Sequence, residues 1–169
     1  MDTAPAEAEF ERFVTAAWPR LRWSAYLLCG DHHLAEDLTQ TALARTYAAW
    51  KRIQRDDPTA YARKVLVNLN IDRVRRRRFL EVAEEHAPER AVDNGSGHVE
   101  RREELVTLLQ ALGDRERAVV VLRHYYDLPE AQVADELGIP RGTVKSTLAR
   151  ALSKLRASAG TVDTMSGRD

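Results

Sequence analysis

Residues 128–156, LPEAQVADELGIPRGTVKSTLARALSKLR, constrain what this chain can fold into more than any other stretch. They read as two short helices joined by a glycine turn. Val133, Ala134 and Leu137 fall at i, i+1 and i+4, one side of a first short helix. Gly138 supplies a conformationally permissive corner, and Pro140 presets the backbone for the next helix. There Val144, Leu148, Leu152 and Leu155 recur at spacings of four, four and three and predict one buried stripe. Lys145, Ser146, Arg150, Ser153 and Lys154 are thereby directed toward solvent. A helix docked by an apolar stripe, with cations and hydroxyls on its free side, meets the requirements for reading a major groove. The pattern is a helix-turn-helix, and it predicts DNA binding.

A plain helix pair with a solvated basic face is the simpler alternative. Against it stand the Gly138 corner, the short spacing between the helices, and the crowding of Arg141, Lys145 and Arg150 near the start of the second. In this motif that end enters the groove.

The 169 residues admit one domain or two small ones, and a hydrophobic share of 44% supports packed cores. No apolar run approaches the roughly 20 residues that span a bilayer, so no membrane partner is expected. The opening MDTAPAEAEF is acidic and has no basic segment followed by an apolar one. No secretory signal is therefore expected, and the reading places the protein in the cytoplasm. Cys29 is the single cysteine and cannot form an intramolecular disulfide. With no CxxC or Cys/His pattern, neither a metal nor a cofactor is expected.

A net charge of zero conceals a polarised layout. Residues 61–80 hold seven cations (Arg63, Lys64, Arg73, Arg75, Arg76, Arg77, Arg78) against one acid, Asp72. Residues 81–104 hold eight acids against Arg90, Arg101 and Arg102. A nucleic acid feels such local blocks within a Debye length of roughly 8 to 10 Å, so the basic part can bind DNA while the acidic part cannot.

The helical periodicity divides the chain into two modules. In the first, residues 7–80, Phe10, Phe13, Val14, Ala17, Leu21, Ala25 and Leu28 mark an amphipathic helix, bent or interrupted near Pro19. Gly30 and Asp31 end it, and Asp31 can cap a second helix with a stripe of Leu34, Leu38, Ala42 and Tyr47. The DDP turn at 56–58 precedes a third helix with Tyr61, Val65, Leu69 and Val74 inward. Residues 81–102 read as a flexible acidic linker around Pro88 and Asn94-Gly95. The second module, 103–157, opens with Leu105, Leu108, Leu109 and Leu112 on one helix and Ala118, Val121, Leu122 and Tyr125 on the next. The VVVL run lies inside that helical frame, so the expected fold class is all-α. Residues 158–169 form a polar tail with no assigned role.

Three stretches in order then carry a resemblance: 31–50 (DHHLAEDLTQTALARTYAAW), 60–78 (AYARKVLVNLNIDRVRRRR) and 111–156. Covering about half the chain, they resemble bacterial RNA polymerase sigma factors of the extracytoplasmic-function (ECF) group, which retain only region 2 and region 4. The pattern VLVNLNIDRVRRRR is most similar to actinobacterial SigE-type members. The resemblance implies a factor that binds core RNA polymerase and directs transcription initiation at promoter DNA, with an anti-sigma factor as a further partner of the family. It assigns polymerase binding to Glu36, Asp37 and Gln40. The −10 element falls to Arg63, Lys64, Asn68, Asn70, Asp72, Arg73, Arg75, Arg76 and Arg77, and the −35 element to Arg141, Thr143, Lys145, Ser146, Thr147 and Arg150. Amides can read an unstacked base, and arginines hold phosphates. The acidic linker is implied to thread the polymerase's RNA path.

The chain departs from the family at several points. Thr147 and Ala149 stand where many members carry a basic and a larger residue, and Pro129 and Pro140 where a capping Ser is frequent. The row of exposed aromatics that primary sigma factors use for melting is missing from the first module. Two rival functions remain. A helix-turn-helix activator or repressor explains 111–156 but leaves the first module without a role. An enzyme with a metal held by His32, His33, Glu36 and Asp37 needs further ligands from facing helices, and no ExxH pair occurs.

Overall fold

The computed structural model describes residues 4–81 and 97–166, with side chains described over 4–81 and 100–160. The chain divides into two compact units, residues 1–89 and 90–169. Every regular element among the described residues is helical, and the chain is all-α.

The first unit holds α1 (Ala4–Cys29), α2 (His32–Ile53) and α3 (Pro58–Glu81), each packed on the other two. Pro19 leaves α1 unbroken; it is exposed, so the Thr15 carbonyl that loses its N–H partner lies where water can reach it. Gly30, at φ +70°, turns the chain. Asp31 caps α2 by accepting from the Leu34 N–H at 2.8 Å. Asp57 does the same for α3, accepting from the Ala60 N–H at 3.0 Å, with Pro58 at the first helical position.

The inward faces are rotated from those expected. In α2 the core is Ala35, Leu38, Thr39, Ala42, Leu43, Thr46, Trp50 and Ile53, while Tyr47 is 48% exposed. Thr39 and Thr46 tolerate full burial because their hydroxyls donate to the Ala35 and Ala42 carbonyls, both at 2.7 Å. Tyr47 instead leans on Phe10, 4.8 Å between ring centres. In α3 the buried face is Ala62, Arg63, Leu66, Val67 and Asn70; Tyr61, Val65, Leu69 and Val74 flank it half-buried.

The second unit holds α4 (Gly97–Gln110), α5 (Asp114–Val120), a π-helical turn (Val121–Tyr125), α6 (Glu130–Leu137) and α7 (Arg141–Ser166). Val106, Leu109 and Leu112 face inward from the first stretch, and Leu105 is 45% exposed. Ala118 through Leu122 are buried, so the VVVL run is a helical core. The π turn closes with the Tyr126 N–H on the Val121 carbonyl at 3.1 Å. Asp127, at φ +53°, then reverses the chain, a left-handed conformation that Asp tolerates better than most side chains.

The expected connector 81–102 is shorter than the sequence suggests, because α3 ends at Glu81 and α4 begins at Gly97. The remaining acidic stretch, 82–96, lies outside the described residues. The expected tail also changes: α7 continues as helix to Ser166. No helix among the described residues is long and apolar enough to cross a membrane.

Candidate nucleic-acid interface

Gly138 sets the geometry of the second unit's surface. It ends α6 at φ +63°, and its own N–H reaches the Asp135 carbonyl at 3.4 Å while the Ile139 N–H reaches Ala134 at 3.1 Å. This pairing of a left-handed residue with two backward hydrogen bonds is a Schellman stop, and it aims the chain into α7 within three residues. Val133 and Val144 are fully buried where α6 meets α7. Along α7 the deepest positions are Val144, Thr147 and Ala151, with Leu148, Leu152 and Leu155 half-buried beside them. Small side chains thus line the contact, and the leucines sit at its edges.

Thr147 therefore does not occupy the exposed position expected of a base-contacting residue. It is fully buried, and its hydroxyl accepts from Arg150 Nη2 at 3.3 Å, which steers the guanidinium. Arg141, Lys145, Ser146 and Arg150 are exposed on the first two and a half turns, and Thr143 is half-buried. Ser146 Oγ donates to the Thr143 carbonyl at 3.2 Å. Arg141 lies 3.7 Å from Glu130 of α6 and is 71% exposed, so this weak pair leaves it accessible. Lys154 is drawn the other way, to Glu116 of α5 at 2.9 and 3.0 Å. The Lys154 ammonium and the Gly113 N–H, the latter 3.4 Å from Oε2, hold the Glu116 carboxyl below the usual carboxylate value despite partial desolvation.

In the first unit the basic helix α3 divides its polar residues between surface and interior. Lys64, Asp72, Arg75 and Arg76 are exposed; Asn68, Arg73 and Arg77 are half-buried. Arg63 and Asn70, expected at the surface, are 6% and 3% exposed. Their positions fall in line with Leu66 and Val67, so helix phase carries them inward. Asn70 Oδ1 accepts from Arg73 Nη2 at 3.1 Å and so positions that side chain. Arg77 is paired with Glu81 one turn on, at 2.9 Å.

Asp37 and Gln40 are exposed on α2. Glu36 is half-exposed and accepts from Arg22 Nε at 3.2 Å. Arg22 also approaches His32 Nδ1 at 3.5 Å, and the His32 ring stacks on Tyr26 at 3.9 Å. His32 is thus occupied in packing, and no group of three potential metal ligands occurs among the described residues. The Cys29 thiol donates to the Asp31 carbonyl at 3.3 Å, and burial pushes its pKa up.

Sequence reasoning missed Arg117 entirely. Its guanidinium, 7% exposed, donates to the carbonyls of Leu109 and Leu112, both at 2.8 Å, and to Gln110 at 3.2 Å, with Asp114 at 3.3 Å. It caps the end of α4 from within α5. Its partners are mostly backbone atoms, which leave no trace in a residue pattern.

Residues 13–79 match the family model for Sigma-70 region 2, and residues 102–155 that for Sigma-70, region 4. The RNA polymerase sigma-E factor of Streptomyces coelicolor is 41% identical, over 88% of this chain and 84% of the relative. The chain belongs to the sigma-70 family. The ECF RNA polymerase sigma factor SigL of Mycobacterium tuberculosis is 32% identical over 90% of both chains, which places this sigma factor in the ECF group. Two solved structures share the fold. RpoE of Bartonella quintana, in complex with the anti-sigma factor NepR, has a TM-score of 0.69 at 23% identity and covers 88% of this chain and 94% of that one. CnrH, in complex with the cytosolic domain of CnrY, has a TM-score of 0.62 at 21% identity over 90% and 88%.

Proposed function

We propose that this sigma factor docks core RNA polymerase through α2 and guides it to promoters read at two places. The observation that supports this best is the presence, in one chain, of a region 2 match over a basic helix and a region 4 match over an exposed helix-turn-helix. In this reading 7–80 is the polymerase-binding and −10 module and 103–157 the −35 module. Arg141, Lys145, Ser146 and Arg150 reach the −35 duplex, with Thr143 at their edge and Thr147 holding Arg150. Asn68 and Asp72 read an unstacked base of the −10 element, and Lys64, Arg73, Arg75, Arg76 and Arg77 hold phosphates, while Arg63 and Asn70 support them from inside. Asp37 and Gln40 lead the polymerase contact, with Glu36 shared between that contact and Arg22. The protein acts as a regulatory subunit in the cytoplasm and carries out no chemistry of its own. An anti-sigma factor is its proposed antagonist, by analogy with the NepR-bound relative of the same fold.

The test is reconstitution with core polymerase followed by run-off transcription on genomic fragments. The expected result is co-elution with core in the absence of DNA and discrete transcripts that core alone does not give. Sequence-specific DNA binding without any association with core would establish the activator reading instead. In the same assay the double variant Glu36→Lys, Asp37→Lys should lose core binding, because reversed charges repel at a docking face. Its stability should fall by less than about 1 kcal/mol, since only the solvent-screened pair with Arg22 is broken. Normal transcription by the variant would remove this part of α2 from the contact.

A further inference from the structure

At the C-terminal end of α3 an aromatic ring stands open to solvent. Phe79 is 84% exposed, and Leu80 beside it 68%. Phe79 is the most exposed large apolar side chain among the described residues. At 3.6 residues per turn, Asn68, Asp72, Arg75 and Phe79 share an arc of about 60° on the helix. All are exposed except Asn68, which is half-buried. The ring therefore continues the line of residues assigned to the opened −10 strand, about 10 Å beyond Asp72. At about 3.4 Å per nucleotide that distance is about three steps of a strand.

We propose that Phe79 is a base-stacking residue, receiving an unstacked base about three nucleotides from the one read at Asp72. The inference rests on the reading of α3 as the −10 face. The surroundings select nucleic acid over protein. Arg75 lies one turn back on the same arc and Arg76 beside it, both exposed. An aromatic face set among cations matches the alternation of base and phosphate along a single strand. Stacking is tolerant of base identity, so Phe79 adds affinity for the opened strand and leaves sequence choice to Asn68 and Asp72.

The test uses holoenzyme on a fork template built from a promoter that this sigma factor transcribes, with 2-aminopurine at successive single-stranded positions. Wild-type holoenzyme should quench the probe at one position, about three nucleotides from the one whose contact is lost in Asp72→Ala. Phe79→Ala should abolish that quench and weaken fork binding by about 5- to 150-fold, the range for one lost base–aromatic stack. Phe79→Trp should restore both. Core polymerase affinity and melting temperature should not change in either variant. Equal fork binding by wild type and Phe79→Ala would overturn the proposal. So would a loss of core affinity, which would make the ring a protein contact, or a fall of several degrees in melting temperature, which would mean the chain itself covers it. If wild-type holoenzyme fails to engage the fork at all, the functional reading fails and this inference falls with it. If only the variant comparison is flat, this inference alone is wrong.

Discussion

Arg117 is a cation more than nine-tenths buried whose hydrogen bonds to three carbonyls hold the end of α4 against α5. Truncation would take this donor from the Leu112 and Gln110 carbonyls, while the Leu109 carbonyl keeps the Leu112 N–H at 3.1 Å. Arg117→Ala should therefore lower the stability of the second unit by about 3 kcal/mol, read as a thermal shift of that unit. Arg117→Lys should recover only part, since a single ammonium nitrogen cannot reach the carbonyls that Arg117 meets with its separate Nε and Nη2 donors. Glu116 gives a pH signature. Its folded pKa lies below the unfolded one, so its contribution is present above the ordinary carboxylate value and lost as pH falls through the folded pKa. Lys154→Met should move the Glu116 carboxyl titration upward in an NMR experiment; an unchanged titration would show that the pair at 2.9 Å does not persist in solution. Residues of this kind were illegible in the sequence because their partners are backbone atoms or lie 38 positions away.

Among the elements, the helix-turn-helix was legible because its chemistry is local: a glycine that takes a left-handed φ, a proline before α7, and apolar residues at helical spacing. The inward faces of α2 and α3 were legible only in part: Leu38 and Ala42 are buried as expected, but most of the rest is not. Counting apolar residues put Tyr47 inside and passed over Thr39 and Thr46, whereas threonine can bond its own helix and be buried dry. The resemblance assigned Thr147, Arg63 and Asn70 to DNA contacts, yet all three are buried, because a motif match does not fix which face of a helix a residue takes. Nothing in the polar composition of 158–166 announced that α7 continues, although no proline interrupts it. The turn supplies a prediction of its own. A Cβ at Gly138 meets no neighbouring atom, so Gly138→Ala should act through φ alone and cost about 1 kcal/mol. Gly138→Asn should cost less, because Asn tolerates this conformation. Equal stability of all three proteins by denaturant unfolding would contradict the left-handed stop.

For the whole molecule, the two-module organisation and the family were legible from three stretches in order, and the comparisons bear both out. In the proposed reading each unit offers DNA only a few exposed cations, so the free protein should bind promoter DNA weakly. Joined to core polymerase, both surfaces act at a set separation and at raised effective concentration, and binding should become tight. A nanomolar, sequence-specific shift by the isolated protein at physiological salt would favour the activator instead.

Run-off transcription on matched templates, one fully paired and one pre-melted across the −10 element, tests most directly the claim that one chain reads a promoter in two places. Lys145→Ala or Arg150→Ala should reduce initiation on the paired template by roughly 5- to 150-fold, the loss of one base contact worth about 1–3 kcal/mol, and leave the pre-melted template nearly unaffected. Asn68→Ala and Asp72→Ala should keep −35 duplex binding but fail to form open complexes, because the unstacked base loses its hydrogen-bonding partners. The same defect on both templates from all four substitutions would contradict the division of labour between α7 and α3.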